Sequence, residues 1–462
     1  MSGFRLSLHR AKGRQDVDMT QGNILQHIIS FALPLMLGNL FQQLYNMVDT
    51  WVLGNYAPNA AYAAVGMITP VCNMLIGFFL GLSSGAGVVI SQFYGAGQHD
   101  KVQKAVHTSL AMTLILGVLF TGLGVFMTPY VLELMNMTPD MKDAASTYLS
   151  IYFSGILGLM VYNIGSAILR AVGDSKRPFY FLMICAIMNT VLDLLFVLAF
   201  GMGVAGVALA TILAQFTSAV LVMLTLIRSN SCIKVYIRKL AIHWEMLKKI
   251  FSVGIPAALQ MAITSFSNVF VQGYVIQFGE ACTGGWTTYT KVDQLIMLPM
   301  QSISLAATTF VGQNLGKNQP DRARRGVWVC ILTAAVSTCI LMTPVLIFAP
   351  YIASVFNPLT DVVEYATLFL RWLTPFYLLF CINQILIGAL RGAGNSRGPM
   401  IVSLCSFVGF RQLYLFIMSN YICNEILPIA MAYPAGWLLC SIIMLIYYKN
   451  VSFDKHRLVD DK

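Results

Sequence analysis

The sequence predicts an all-α polytopic membrane protein: twelve transmembrane helices in two six-helix lobes related by a parallel repeat. Three observations carry that prediction. Of 462 residues, 57% are hydrophobic and 10% charged, against about 25% charged in an ordinary soluble domain. Twelve apolar segments reach spanning length, which takes about 20 helical residues. Polar motifs of the first half recur in the second with an offset of 221 residues, so that Gln92 corresponds to Gln313.

Taken in order, residues 1–23 form a polar, basic tail without the apolar core of a cleavable signal, so insertion is expected to begin at the first helix. Thr20-Gln21-Gly22-Asn23 reads as a helix start. A first lobe over 24–228 holds spans near 24–51, 60–92, 105–130, 143–170, 179–200 and 205–228. Residues 229–249 make the longest charged loop and read as a linker. A second lobe over 250–448 holds spans near 250–278, 284–312, 326–350, 361–391, 400–422 and 427–448, and 449–462 form a second tail.

Net charge is +10, yet 25 of the 29 Lys and Arg fall in the tails and one alternating set of loops or their helix ends. The opposite loops hold Lys142 beside Glu133, Asp140, Asp143, Glu280, Asp361 and Glu425. This positive-inside asymmetry places both termini in the cytoplasm. The basicity is therefore topological, and no nucleic-acid partner is expected. The ten cysteines form no Cys-x-x-Cys, so neither a zinc site nor a disulfide framework is indicated. No Gly-x-x-x-x-Gly-Lys-Ser/Thr loop appears, so nothing points to ATP-driven transport or to an enzyme.

Two motif pairs define the repeat. Gln92-Phe93-Tyr94-Gly95 returns as Gln313-Asn314-Leu315-Gly316, and Leu169-Arg170-Ala171-Val172-Gly173 as Leu390-Arg391-Gly392-Ala393-Gly394. Pro34 returns as Pro256. An offset of six helices gives both halves the same orientation, as in secondary transporters that work by alternating access. Gly77, Gly81 and Gly85 recur every four residues on the second helix and allow close helix approach.

Six charges remain at membrane depth: Asp49, Asp193, Lys291, Asp293, Arg371 and Arg411. Intramembrane ionisable residues are costly and normally face a bundle interior or wet cavity. Asn189 and Asp193 stand four apart and share a helix face, as do Thr211 and Gln215. Tyr148, Tyr152 and Asn163 lie on the fourth helix, and Gln42 and Tyr45 precede Asp49. A buried carboxylate pair with amide and hydroxyl neighbours can hold a proton or ligate Na⁺. The second-half counterparts of Asn189 and Asp193 are Phe410 and Tyr414, so an ion site is expected in the first lobe alone. Lys291 and Asp293, two apart, do not share a face. Arg371 is expected to reach the outer surface and Arg411 to be paired.

The stretch from Leu33-Pro34 through Leu44-Tyr45-Asn46-Met47-Val48-Asp49, the segment Phe310-Val311-Gly312-Gln313-Asn314-Leu315-Gly316 and the duplicated Leu-Arg motifs resemble the multidrug and toxic compound extrusion (MATE) family over nearly the whole chain. The resemblance implies two lobes in a V around a central cavity, and export of organic cations or amphipathic drugs in exchange for Na⁺ or H⁺. By position, Asp49, Asn189 and Asp193 resemble the N-lobe cation site of the DinF-like branch, with Thr211 and Tyr148 as further members. Thr264 stands where other branches carry an acid on the seventh helix.

The expected protein is thus a monomeric antiporter of the bacterial inner membrane. It needs no cofactor beyond its coupling ion, Pro34 is its hinge, and Gln42, Tyr45, Asn163, Gln215, Lys291, Asp293 and Arg411 are cavity candidates. The alternative is a lipid-linked oligosaccharide flippase of the same superfamily, kept open by Lys291 and Arg411.

Overall fold

The computed structural model describes residues 17–135, 137–453 and 456–459; most of the basic N-terminal tail therefore lies outside the described residues. Twelve helices are long and apolar enough to cross a membrane. They are α1 (Ile24–Tyr56), α2 (Ala60–Gly95), α3 (His99–Glu133), α4 (Pro139–Ala171), α5 (Lys176–Ala199) and α6 (Gly203–Ile227), then α7 (Trp244–Ile276), α8 (Glu280–Gly316), α9 (Pro320–Ile347), α10 (Thr360–Gly392), α11 (Arg397–Ile422) and α12 (Ile426–Asn450). Among the described residues there is no strand.

Local chemistry sets the ends and breaks of these helices. Asn23 caps α1, its side chain accepting the Gln26 N–H at 3.2 Å, which satisfies one of the first-turn donors. The α10 span is broken by a 3₁₀ turn at Thr374–Phe376, where Pro375 lacks an N–H and crowds the carbonyl four residues back. The continuous tenth helix expected over 361–391 is thus two segments. A short helix, Ala349–Phe356, also follows α9.

Helices α5 and α11 depart from the regular spans expected of them. A π-helical stretch covers Leu195–Ala199 in α5, and two more cover Cys405–Phe410 and Met418–Ile422 in α11. Such wide turns are uncommon and concentrate at functional sites. The first begins two residues after Asp193.

α1 and α7 each serve both lobes. Ile28, Phe31, Ala32 and Leu35 of α1 are buried in the second lobe's core with Phe310 and Val311, whereas Gly38 already packs on Leu182 of α5. Pro34 lies at this changeover. α7 mirrors the arrangement: Met246, Leu247, Ile250 and Ala258 sit in the first lobe's core, and Val271 and Val275 in the second's. Pro256 falls within the first of those sets, two residues before Ala258. The residues at 229–249 are less a free linker than expected, because Ile233 and Val235 are buried in the first-lobe core and the Tyr236 N–H donates to His107 Nε2 at 3.1 Å.

The lobes meet along α2, and the contact has a gradient. A Cβ placed on Gly95 would come within 2.0 Å of the Gln313 carbonyl, and on Gly85 or Gly81 within 2.4 Å of the α7 backbone. On Gly77 it would make an ordinary 3.4 Å contact with Met261, and on Gly66 it would meet nothing within 4 Å. α2 therefore diverges from its partners away from the face that carries both chain termini, called the terminal face below. The lobes are sealed there and separate toward the opposite face.

Candidate functional site

Gln42, Tyr45 and Asp49 follow the three-four spacing of one α1 face, and Cys185, Asn189 and Asp193 do the same on α5. α1 packs on α5, which brings Asp49 against both Asp193 and Asn189. Asn189 and Asp193 are fully buried. The Asn189 amide reaches Thr211 Oγ1 on α6 at 3.5 Å, while the Thr211 hydroxyl donates to the Val207 carbonyl at 3.0 Å. Thr211 therefore orients Asn189. Tyr148 and Tyr45 lie near the carboxylates, and Tyr148 stacks on Tyr152 at 6.2 Å. Val52, Leu53, Val197, Val204 and Val207 form an apolar cluster packed against Tyr148.

The oxygens of this cluster are short of partners. Asp49 Oδ1, Asn189 Oδ1 and both Asp193 oxygens are buried without a hydrogen bond. Buried polar atoms in native proteins are nearly always satisfied, and an unpaired buried carboxylate is costly. Four buried oxygens without partners, on neighbouring side chains, suit a hard cation. Two facing carboxylates equally suit a shared proton. The donor set thus fits either Na⁺ or H⁺, held by Asp49, Asp193 and Asn189.

The second lobe fills the equivalent positions with other chemistry. Val271, the counterpart of Asp49, is fully buried. Phe410 and Tyr414, in place of Asn189 and Asp193, lie 6.4 Å apart as a tilted ring pair, and the Tyr414 hydroxyl donates to the Pro428 carbonyl at 3.1 Å.

The other candidates are dispersed. Gln42 touches the Tyr45 hydroxyl. Gln215 is buried one turn beyond Thr211. Asn163 is buried with its Nδ2 unpaired, but it is fifteen residues from Tyr148, roughly 22 Å along the helix. It does not join the Asp49 cluster.

Lys291 is exposed and Asp293 half-buried, on different faces of α8. Asp293 accepts the Tyr377 hydroxyl, and the hydroxyls of Tyr377 and Tyr289 hydrogen-bond at 3.1 Å. Arg411 is buried. Its Nη2 donates to Ser267 and Asn268 at 2.9 Å each, and its guanidinium lies 4.7 Å over the Tyr433 ring. Arg411 is therefore paired, as expected, but it anchors α11 to α7 and does not line an open cavity. Arg371 is exposed.

Sequence reasoning missed Tyr289 and Tyr377. Tyr289 stands four residues before Asp293 and was open to a spacing argument; no local pattern connects Tyr377, on another helix, to either. Tyr377→Phe leaves Asp293 without its donor, and is expected to cost about 1–3 kcal/mol, read as a lower melting temperature of the purified protein.

The MatE family model matches the chain twice, at 34–195 and 256–417, the same stretch of each lobe. The chain is 30% identical over 445 residues to "Probable multidrug resistance protein YpnP" of Bacillus subtilis (strain 168), covering 96% of this chain and 99% of that one. It is 27% identical over 448 residues to "Probable multidrug resistance protein NorM" of Thermotoga maritima, covering 94% of each. A solved MOP superfamily transporter from Pyrococcus furiosus shares the fold, with TM-score 0.90 at 22% identity over 95% of this chain and 98% of that one. With two family matches in register with its internal repeat, the chain belongs to the MatE family of multi-pass membrane transporters.

Proposed function

We propose that the protein is a secondary active efflux antiporter, of the DinF-like branch, that exports organic cations or amphipathic drugs in exchange for Na⁺ or H⁺ by alternating access. In this reading it works as a monomer in a bacterial inner membrane, with the terminal face in the cytoplasm. The observation that carries it is the Asp49–Asp193 pair: two facing carboxylates with three of their oxygens unpaired, in one lobe only.

The packing of α1 supplies a route from ion to lobe movement. The half of α1 beyond Pro34 belongs to the ion site, and the half before it is buried in the other lobe. An ion that draws Asp49 toward Asp193 thereby pulls on the lobe interface through one helix, with Pro34 as hinge. Ion and drug need only favour different lobe arrangements to exchange, and the coupling is then reciprocal. A flippase would need a basic cavity for pyrophosphate, which the anchoring of Arg411 to Ser267, Asn268 and Tyr433 does not favour.

The test is efflux of a fluorescent organic cation from vesicles, with Na⁺ and pH gradients imposed independently. An inward gradient of one of these ions is expected to accelerate efflux. No acceleration by either overturns the coupling.

A further inference from the structure

The two repeated motifs of the sequence, Gln92/Gln313 and Ala171/Gly392, are not used by the ion site, and they meet at the terminal face. Gln92 Nε2 donates to the Gly392 carbonyl at 2.9 Å, and Gln313 Nε2 donates to the Ala171 carbonyl at 2.9 Å. Each glutamine ends the long helix of one lobe and reaches the final residue of α10 or α4 in the other. Both are fully buried. The remaining oxygens are used in the same symmetric way, by the chain termini: Met19 N–H donates to Gln313 Oε1 at 2.9 Å, and Leu458 N–H to Gln92 Oε1 at 2.8 Å.

The close approaches repeat the symmetry. A Cβ on Gly95 would strike the Gln313 carbonyl and one on Gly316 the Gln92 carbonyl, each at 2.0 Å. Gly173 and Gly394, at φ +85° and +93°, lie under the carbonyls of Val17 and His456, where a Cβ would come to 2.4 Å in both cases. Only glycine combines that backbone with that clearance. Cations hold the two terminal segments in place: Lys317 Nζ donates to Thr20 Oγ1 at 2.9 Å, Arg322 to the Gly22 carbonyl at 3.0 Å, and Lys249 Nζ to the Leu458 carbonyl at 2.9 Å.

We propose that Gln92 and Gln313 are twin gate residues, each cross-linking the lobes and pinning one chain terminus, so that the terminal face opens only when both release together. The proposal rests on the alternating-access reading but not on the identity of the ion or drug. A buried carboxamide that loses its partners is costly, so the arrangement favours an all-or-none closed state over partial opening. Both termini then leave their sites whenever the lobes part on this face.

The test is hydrogen exchange at single residues in the purified full-length protein, without substrate or gradient. In Gln313→Ala the Met19 amide loses its acceptor, but the Leu458 amide keeps Gln92. The gate requires both to exchange faster, by about five- to tenfold for a lost buried hydrogen bond. Gln92→Ala must accelerate Met19 in the same way. Acceleration confined to the amide bonded to the altered glutamine overturns the proposal, as does wild-type exchange at both.

Gln313→Glu keeps the acceptor for Met19 and sets a carboxylate against the Ala171 carbonyl. It must likewise accelerate Leu458, and serves where the alanine variant does not fold. Should Asp49→Asn leave transport coupled, the ion reading falls while the cross-effect on Leu458 still decides the gate.

Discussion

Asp49→Asn and Asp193→Asn are each expected to reduce gradient-driven efflux at least tenfold while leaving the protein folded. Asparagine keeps the shape of aspartate and removes the charge. Each variant therefore retains the α1–α5 packing but loses a carboxylate for which cation or proton must compete. A factor of ten corresponds to about 1.4 kcal/mol, modest beside the cost of an unpaired buried carboxylate. Because the two residues face each other, the double variant is expected to be little worse than either single, as for any pair acting as one site. Asp293→Asn, in the other lobe and satisfied by Tyr377, is expected to add independently to either. Efflux in vesicles under an imposed ion gradient measures all four, and wild-type coupling in both first-lobe variants would sink the mechanism.

Much of this was legible before any coordinates. Hydropathy and the alternation of charge yield twelve spans because a bilayer imposes a length and a sidedness that composition must obey. The clustering of Asp49, Asn189 and Asp193 was legible for a related reason. A carboxylate in an apolar helix is so costly that only a few exist, and Asp49, Asn189, Asp193 and Thr211 were the natural partners.

What could not be read depends on which helix touches which. The division of α1 and α7 between the lobes follows from packing across hundreds of residues, and Pro34 and Pro256 only hint at it. The break at Thr374–Phe376 was signalled by Pro375, but apolar length masked it. The π-helical stretch after Asp193 leaves no local signature, since its residues, Leu195-Phe196-Val197-Leu198-Ala199, would serve equally well in a regular helix. Asn163, a cavity candidate on the same helix as Tyr148, shows a further limit: membership of one helix says little about proximity when that helix is more than 30 residues long.

The second large effect is expected at the glycine seam. Intrinsic helix propensity favours alanine over glycine by up to about 1 kcal/mol, so an alanine in a helix with open space around it is stabilising or neutral. Gly66, with nothing within 4 Å of its added Cβ, is such a position. At Gly81 and Gly85 the same methyl group would lie 2.4 Å from the backbone of Ala258 and Gly254, against about 3.5–4.0 Å for an ordinary carbon contact. Backbone atoms of a packed helix cannot rotate away as a side chain can, so α2 and α7 must move apart. Overpacking of this kind costs about 1–3 kcal/mol per site, and the two positions are one turn apart on the same face. The penalty therefore falls on the sealed arrangement of the terminal face. Gly81→Ala/Gly85→Ala is expected to lower efflux more than tenfold and to speed exchange at the Met19 and Leu458 amides, although neither glycine touches the ion site or the twin glutamines. Gly66→Ala, on the same helix, is expected to do neither. Equal efflux and exchange in the two variants would show that the seam does not hold the lobes together.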